Sequence, residues 1–145
     1  MRKTILATIF CLVLSSYSAS ADDRAISANK LPATAQSFLN TYYKGNDIIV
    51  ATQDWGVFSS EYSVVLADGT KVEFDNNGQW DSVHSRTTNI PSGIIPSQII
   101  NYVNQHFPSM VISKIERDRR GYEVQLRNGL ELKFDLAFNC VEIDD

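Results

Sequence analysis

Tyr62-Ser-Val-Val-Leu-Ala-Asp-Gly-Thr-Lys-Val-Glu-Phe-Asp75 returns sixty residues later as Tyr122-Glu-Val-Gln-Leu-Arg-Asn-Gly-Leu-Glu-Leu-Lys-Phe-Asp135. Tyr, Val, Leu, Gly, Phe and Asp recur at the same places. Each copy has β-branched and aromatic residues alternating with polar ones on either side of a Gly-containing break, the pattern of a β-hairpin. The pleat decides the turn. Tyr62, Val64 and Leu66 share one face of the first strand, and Val72 and Phe74 share one face of the second. A two-residue Asp68-Gly69 turn would set Val64 against Glu73, so the apolar sets would point to opposite sides. A three-residue turn, Ala67-Asp68-Gly69, sets Val64 against Val72 and Tyr62 against Phe74, with Gly69 in the left-handed region. Arg127-Asn128-Gly129 does the same in the second copy. A slip of one residue flips every side chain, so this register is expected twice.

The repeat extends upstream. Leu31 to Asp54 lies over Ile95 to Asp118 at a shift of 64, with Pro32/Pro96, Asn40/Asn104 and Ile48/Ile112 identical. The shift falls from 64 to 60, so the second copy has a first hairpin four residues shorter. Ala35, Phe38, Leu39 and Tyr42 form one helical stripe, and Ile99, Tyr102, Val103 and His106 form its counterpart. Pro32 and Pro96 suit a first helical turn. Gly45 suits a left-handed cap, and Pro108 a stop. Strands are expected over 47–53, 58–66, 70–75 and 79–84, then 110–117, 122–127, 130–135 and 139–143. Short loops make them antiparallel neighbours. The organisation predicted is an N-terminal extension over 22–30, a first unit over 31–85, a linker over 86–94 and a second unit over 95–145. The fold class is α+β: a tandem duplication of an α-β-β-β-β unit, forming one antiparallel sheet of about eight strands with both helices on one face.

Met1-Arg2-Lys3, an apolar run from Ile5 to Leu14 and a small-residue stretch ending near Ala21 read as a secretory signal peptide over 1–21. Its removal takes away Arg2, Lys3 and Cys11, leaving 11 basic against 17 acidic residues and a net charge of −6. That balance argues against nucleic acid and against anionic membrane surfaces. No membrane insertion is expected after cleavage, and the expected location is periplasmic or secreted. One cysteine, Cys140, remains, so no intramolecular disulfide can form.

Val72-Glu-Phe-Asp-Asn-Asn-Gly78-Gln-Trp80-Asp-Ser-Val83, following a helix and a meander in a doubled secreted domain, resembles the PepSY-like, β-lactamase-inhibitor-like (BLIP-like) family. The resemblance spans roughly the whole chain after the signal peptide. It implies a periplasmic or secreted domain without a known enzymatic activity, built on a two-repeat sheet. Fold kinship does not transfer a target. The second copy has Phe138 in the place of Gly78 and Cys140 in the place of Trp80, so its last hairpin is expected to be degenerate.

No motif for metal, phosphate or nucleophilic chemistry appears, and no cofactor or metal is expected. His106 lies on a helix stripe as a packing group. Cys140 could pair with His84 as a nucleophile, or simply fill the place of a missing Trp. Carboxylates on alternating strand positions read as a solvated face. The expected function is therefore a non-enzymatic binding domain that meets an unidentified protein or peptide of the cell envelope through the open sheet face, with an inhibitor-like role implied by the resemblance. The binding residues expected are Glu61, Ser63, Lys71 and Glu73 from the first copy, Glu123, Gln125, Arg127, Glu131 and Lys133 from the second, with Trp55 and Trp80 as aromatic anchors. Trp80 has two registers open to it. Opposite Asp75 it faces the open side; opposite Phe74 it enters the core. The rival readings are a small-ligand carrier with a void lined by Tyr62, Phe74, Tyr122 and Phe134, and an enzyme using Cys140 or surface carboxylates.

Overall fold

The computed structural model describes residues 23–56 and 60–145. The expected signal peptide, and the start of the strand expected from residue 58, lie outside the described residues. Helix α1 is Ala33–Tyr42 and α2 is Ser97–His106. The strands are β1 Asp23–Ala25, β2 Ile48–Trp55, β3 Ser60–Leu66, β4 Lys71–Phe74, β5 Trp80–His84, β6 Ile112–Arg117, β7 Gly121–Leu126, β8 Glu131–Asp135 and β9 Cys140–Asp144. All nine form one antiparallel sheet in chain order. The α-β-β-β-β order occurs twice, as the doubled sequence requires. The ninth strand is β1, in which Asp23, Arg24 and Ala25 pair with Asp54, Gln53 and Thr52. Three residues without apolar alternation carry no strand signal in the sequence, so no strand is expected in the extension.

Both hairpins take the three-residue turn. Val64 pairs with Val72 and Tyr62 with Phe74; Val124 pairs with Leu132 and Tyr122 with Phe134. Gly69 and Gly129 hold positive φ, 84° and 97°. All the apolar partners therefore face one side, where both helices cover them. Phe38 of α1 meets Phe74 edge-on at 5.6 Å, and Tyr102 of α2 meets Phe134 edge-on at 5.3 Å. Ala35, Leu39, Ile99 and Val103 complete the cover, buried against Val64, Val72, Ile115, Val124 and Leu132. Pro32 and Pro96 sit one step before the first helical residue, as N-caps. After each helix a left-handed residue turns the chain: Gly45 at φ 83° and, 64 positions on, Ser109 at 67°.

Irregularities also recur. The ladder slips between Ile48 and Val50 and again between Ile112 and Lys114. It slips between Glu73 and Phe74 and again between Lys133 and Phe134. The second pair of bulges resolves the position of Trp80. Val72 pairs with Val83, and Phe74 still pairs with Trp80, because Asp81 is the extra residue between them. In the second unit Leu132 pairs with Ile143 and Phe134 with Cys140 around Val141. The last hairpin of the second unit is not degenerate in its backbone. Asp75 Oδ1 accepts the N–H groups of Asn77 and Gln79, and Asp135 Oδ1 accepts those of Ala137 and Asn139. Phe138 takes the left-handed position of Gly78, at φ 65°, and stacks on Tyr122 at 5.6 Å.

The segment between the units is held by both of the three-residue turns. Thr88 donates from Oγ1 to Asp68 Oδ2 at 3.2 Å, and its carbonyl accepts from Arg127 at 3.2 Å. Burial tends to raise the Asp68 carboxyl, but hydrogen bonds from Thr70, Asn46 and Thr88 together hold it below the usual carboxylate range.

Gly78 packs against the start of α1, where an added Cβ would stand 2.7 Å from Pro32 Cβ and 3.0 Å from Ala35 N, at φ 80°. Gly69 shares that conformation with open space around it. Gly69→Ala is expected to cost about 1 kcal/mol of backbone strain, and Gly78→Ala roughly 2 kcal/mol or more, since overpacking adds to that strain. Urea unfolding of the two variants checks the order.

Candidate binding surface

The helices cover one side, so the other side of the sheet is open to water, as is normal for an antiparallel sheet. The register arranges its side chains in rows running across the strands. One row reads Lys71, His84, Lys114, Gln125, Glu131 and Asp144; the next reads Glu73, Ser82, Glu116, Glu123, Lys133 and Glu142. A basic band therefore lies beside an acidic band at the centre of the face. Ion pairs along the strands link them, Lys71 to Glu73 at 2.5 Å and Lys114 to Glu116 at 2.6 Å. Exposed pairs of this kind contribute little stability. Their value is in the pattern they present.

Glu61 and Asp81 extend the acidic band. An open groove of about 760 Å³ lies over it, lined by Glu61, Glu73, Asp81, Glu116 and Glu123 and bounded by the Asp118–Arg120 loop. The bulge is what brings Asp81 there, because it places Asp81 and Ser82 together against Glu73. Burial first, then repulsion from Asp75 and Glu61, raises the Asp81 carboxyl above its ordinary value; the Arg117 guanidinium opposes this. His84 is pushed the other way. Burial and the neighbouring Lys114, Arg86 and Lys71 favour its neutral form.

The expected binding residues divide. Glu61, Ser63, Lys71, Glu73, Glu123, Gln125, Glu131 and Lys133 lie in the open-face rows. Arg127 is at the rim, holding the linker through Thr88. The two tryptophans are elsewhere. Trp80 lies on the helix side opposite Phe74, with its ring 6.4 Å from that of Phe38. The Arg117 guanidinium stacks 4.1 Å from the centre of the Trp80 ring, and its Nε donates to Trp80 O at 2.6 Å. Trp80 is thus part of the packing that fastens β5 to β6. Trp55 is 57% exposed, but it follows Ala51 and Gln53 in the pleat and so overhangs the helix side. Ser82, His84, Lys114 and Glu116 belong to the face and were not among the expected residues. The alternation of β6 about Ile115 could have found Lys114 and Glu116. Nothing in the sequence announces the bulge that turns Asp81 into the groove.

Residues 60–142 match the family described as "Putative beta-lactamase-inhibitor-like, PepSY-like". The chain belongs to this family. It is similar to three crystal structures of Bacteroides proteins. One, from Bacteroides vulgatus, is described as a "putative periplasmic protein from DUF2874 family"; it shares 39% identity at a TM-score of 0.83, over 87% of this chain and 99% of that one. Another, from Bacteroides thetaiotaomicron, is described as a "putative calcium-regulated periplasmic protein", with 39% identity and a TM-score of 0.83 over 86% of this chain and 98% of that one. A third, also from Bacteroides vulgatus and described as of unknown function, shares 31% identity at a TM-score of 0.81, over 85% of this chain and 99% of that one. No match is found among curated proteins. Among the described residues, no three His, Cys, Asp or Glu side chains converge in a way that could hold a metal ion.

The rivals find little support in the geometry. Cys140 pairs with Phe134 on the helix side, whereas His84 lies on the open side, so the two are not brought together. Phe74 and Phe134 are fully packed by helix aromatics, and Tyr62 and Tyr122 lie against the same core, which fills the place where a carrier's void would be.

Two outcomes follow from this arrangement. Trp80→Ala is expected to cost roughly 2–3 kcal/mol, a partly buried aromatic's share of the loss known for large-to-small changes, measurable by denaturant unfolding. Asp81→Asn is expected to raise the melting temperature slightly at neutral pH. An acid whose pKa is raised on folding opposes folding when ionised, and that penalty fades as pH falls through its folded pKa. The difference between wild type and variant should therefore shrink on acidification in a thermal melt series.

Proposed function

We propose that the chain is a non-enzymatic periplasmic binding domain whose open sheet face docks a protein or peptide of the cell envelope. All three of the similar Bacteroides structures are of proteins described as periplasmic, and no helix among the described residues is long and apolar enough to cross a membrane. The family's inhibitor-like description agrees with a docking role. The observation that carries the reading is the banded face itself. A broad, shallow groove lined mainly by carboxylates, with arginines at its rim and a short basic strip beside it, suits electrostatic orientation of a macromolecule rather than enclosure of a small substrate.

The position of the tryptophans alters the energetics of that docking. With Trp80 in the packing and Trp55 off the face, charged side chains dominate the central surface. Such a surface sets partner choice and association rate, and its binding weakens with salt.

The test uses the chain from residue 22 onward as bait in a periplasmic extract. Wild type is compared with the triple variant Glu73→Lys, Glu116→Lys, Glu123→Lys, and with Gln105→Lys on the exposed side of α2 as a control. A partner retained by wild type and control is expected to bind the triple variant at least about tenfold more weakly, the scale of losing close charge pairs at an interface. Equal retention by all three would remove the open face from the mechanism.

A further inference from the structure

The junction between the two units is a template for an edge that has no partner strand among the described residues. There β5 meets β6 through Ser82 and Glu116, Val83 and Ile115, and His84 and Lys114. Val83 and Ile115 are both completely buried. β9 is the counterpart of β5: Ile143 pairs with Leu132 as Val83 pairs with Val72, and both strands bulge at the same step. Yet among the described residues β9 is last in the sheet. Ile143 is 50% exposed where Val83 is 0%, and Val141 in the same strand is exposed as well.

The backbone of β9 is oriented for a further strand. Leu126 N–H donates to Leu130 O at 2.8 Å. Hydrogen-bonded pairs alternate from that point, so Val124 and Leu132 form one. Leu132 therefore directs its N–H and C=O toward β7. The pair Leu132–Ile143 is then of the other kind, and the N–H and C=O of Ile143 point to the open edge. Val83 meets Ile115 in this same orientation.

Charge selects what can sit there. Glu142 and Asp144 flank Ile143, Asp145 follows, and Lys133 reaches both Glu142 at 2.9 Å and Asp144 at 3.5 Å. A second β9 laid antiparallel about Ile143 would set Glu142 against Asp144 twice, and like charges directly opposite are destabilising. A strand with an apolar residue between two basic ones would instead place opposite charges there. The internal template has half of that pattern in Lys114-Ile115. We propose that the open edge of β9 is a strand-addition site for an extended segment of another protein, one that reads basic, apolar, basic across Glu142, Ile143 and Asp144. Main-chain hydrogen bonds would hold it, and the flanking charges would choose it. Edge charges ordinarily keep strands apart; here their single sign makes the guard selective. Glu142 and Asp144 also end the open-face rows, but the edge hydrogen bonds of Ile143 lie outside the acidic band at the centre of that face.

The test adds the blocked peptide Thr-Lys-Ile-Lys-Thr, or Thr-Glu-Ile-Glu-Thr as control, to the isotope-labelled chain from residue 22. Amide exchange and chemical shifts are followed by NMR. The basic peptide is expected to slow exchange at the Ile143 and Asp145 amides, and the acidic one to leave them unchanged. Ile143→Pro removes an N–H that the β8 ladder does not use, and is expected to weaken binding about tenfold. Glu142→Lys combined with Asp144→Lys should do the same with the edge backbone intact, and the open-face triple variant should bind the peptide as wild type does. The proposal is overturned by protection confined to the open face, by equal protection from both peptides, by none from either, or by self-association through β9 that excludes the basic peptide.

Discussion

The parity of one turn decides the architecture. The three-residue turn that joins β3 to β4, and again β7 to β8, sets valine against valine and valine against leucine, with all four side chains buried. Two residues in that turn would have divided the apolar side chains between both faces, and neither helix could have covered them. Once the parity is set, the remaining choices are constrained. The helices must lie on the apolar side, and the charged positions must face water. The phenylalanines at the ends of β4 and β8 must meet the helix aromatics above them.

Within this plan the bulges set the fine placement. Each admits one extra residue just where β5 or β9 begins, and the two units use that residue differently. In the first unit the extra residue is Asp81, added to an acidic band that already repels it. In the second it is Val141, left exposed on the last strand. Arg117 joins the consequences of the first bulge: it stacks on Trp80 and lowers the penalty on ionised Asp81 at the same time. A residue that packs on the covered side thereby conditions the charge on the open side.

Much of this plan was legible in the residues, because it depends on periodicity. The doubled Tyr-to-Asp segment carries the register, and the two helical stripes carry the cover. What was not legible depends on single residues out of step. Asp23–Ala25 forms a strand only because β2 offers an edge to pair with. Trp80 could not be assigned because both of its candidate registers are partly true: Val72–Val83 holds and so does Phe74–Trp80. A pattern read by alternation assumes that no residue is skipped, and here one is. The open face was legible as a face, but its tryptophan anchors were not on it, and its banding needed the alignment of neighbouring strands.

Every strand in the sheet has its neighbours in sequence as its neighbours in space. For most pairs the chain closes only a short turn before the contacts reward it, so little entropy is lost at each step. The exceptions are the join between β1 and β2, which encloses α1, and the join between β5 and β6, which must enclose the linker and all of α2 before Val83 can meet Ile115. Pairings closed by short turns favour rapid folding. Each half-sheet can zip up locally, and the meeting of the halves is where the chain has the most ordering to do.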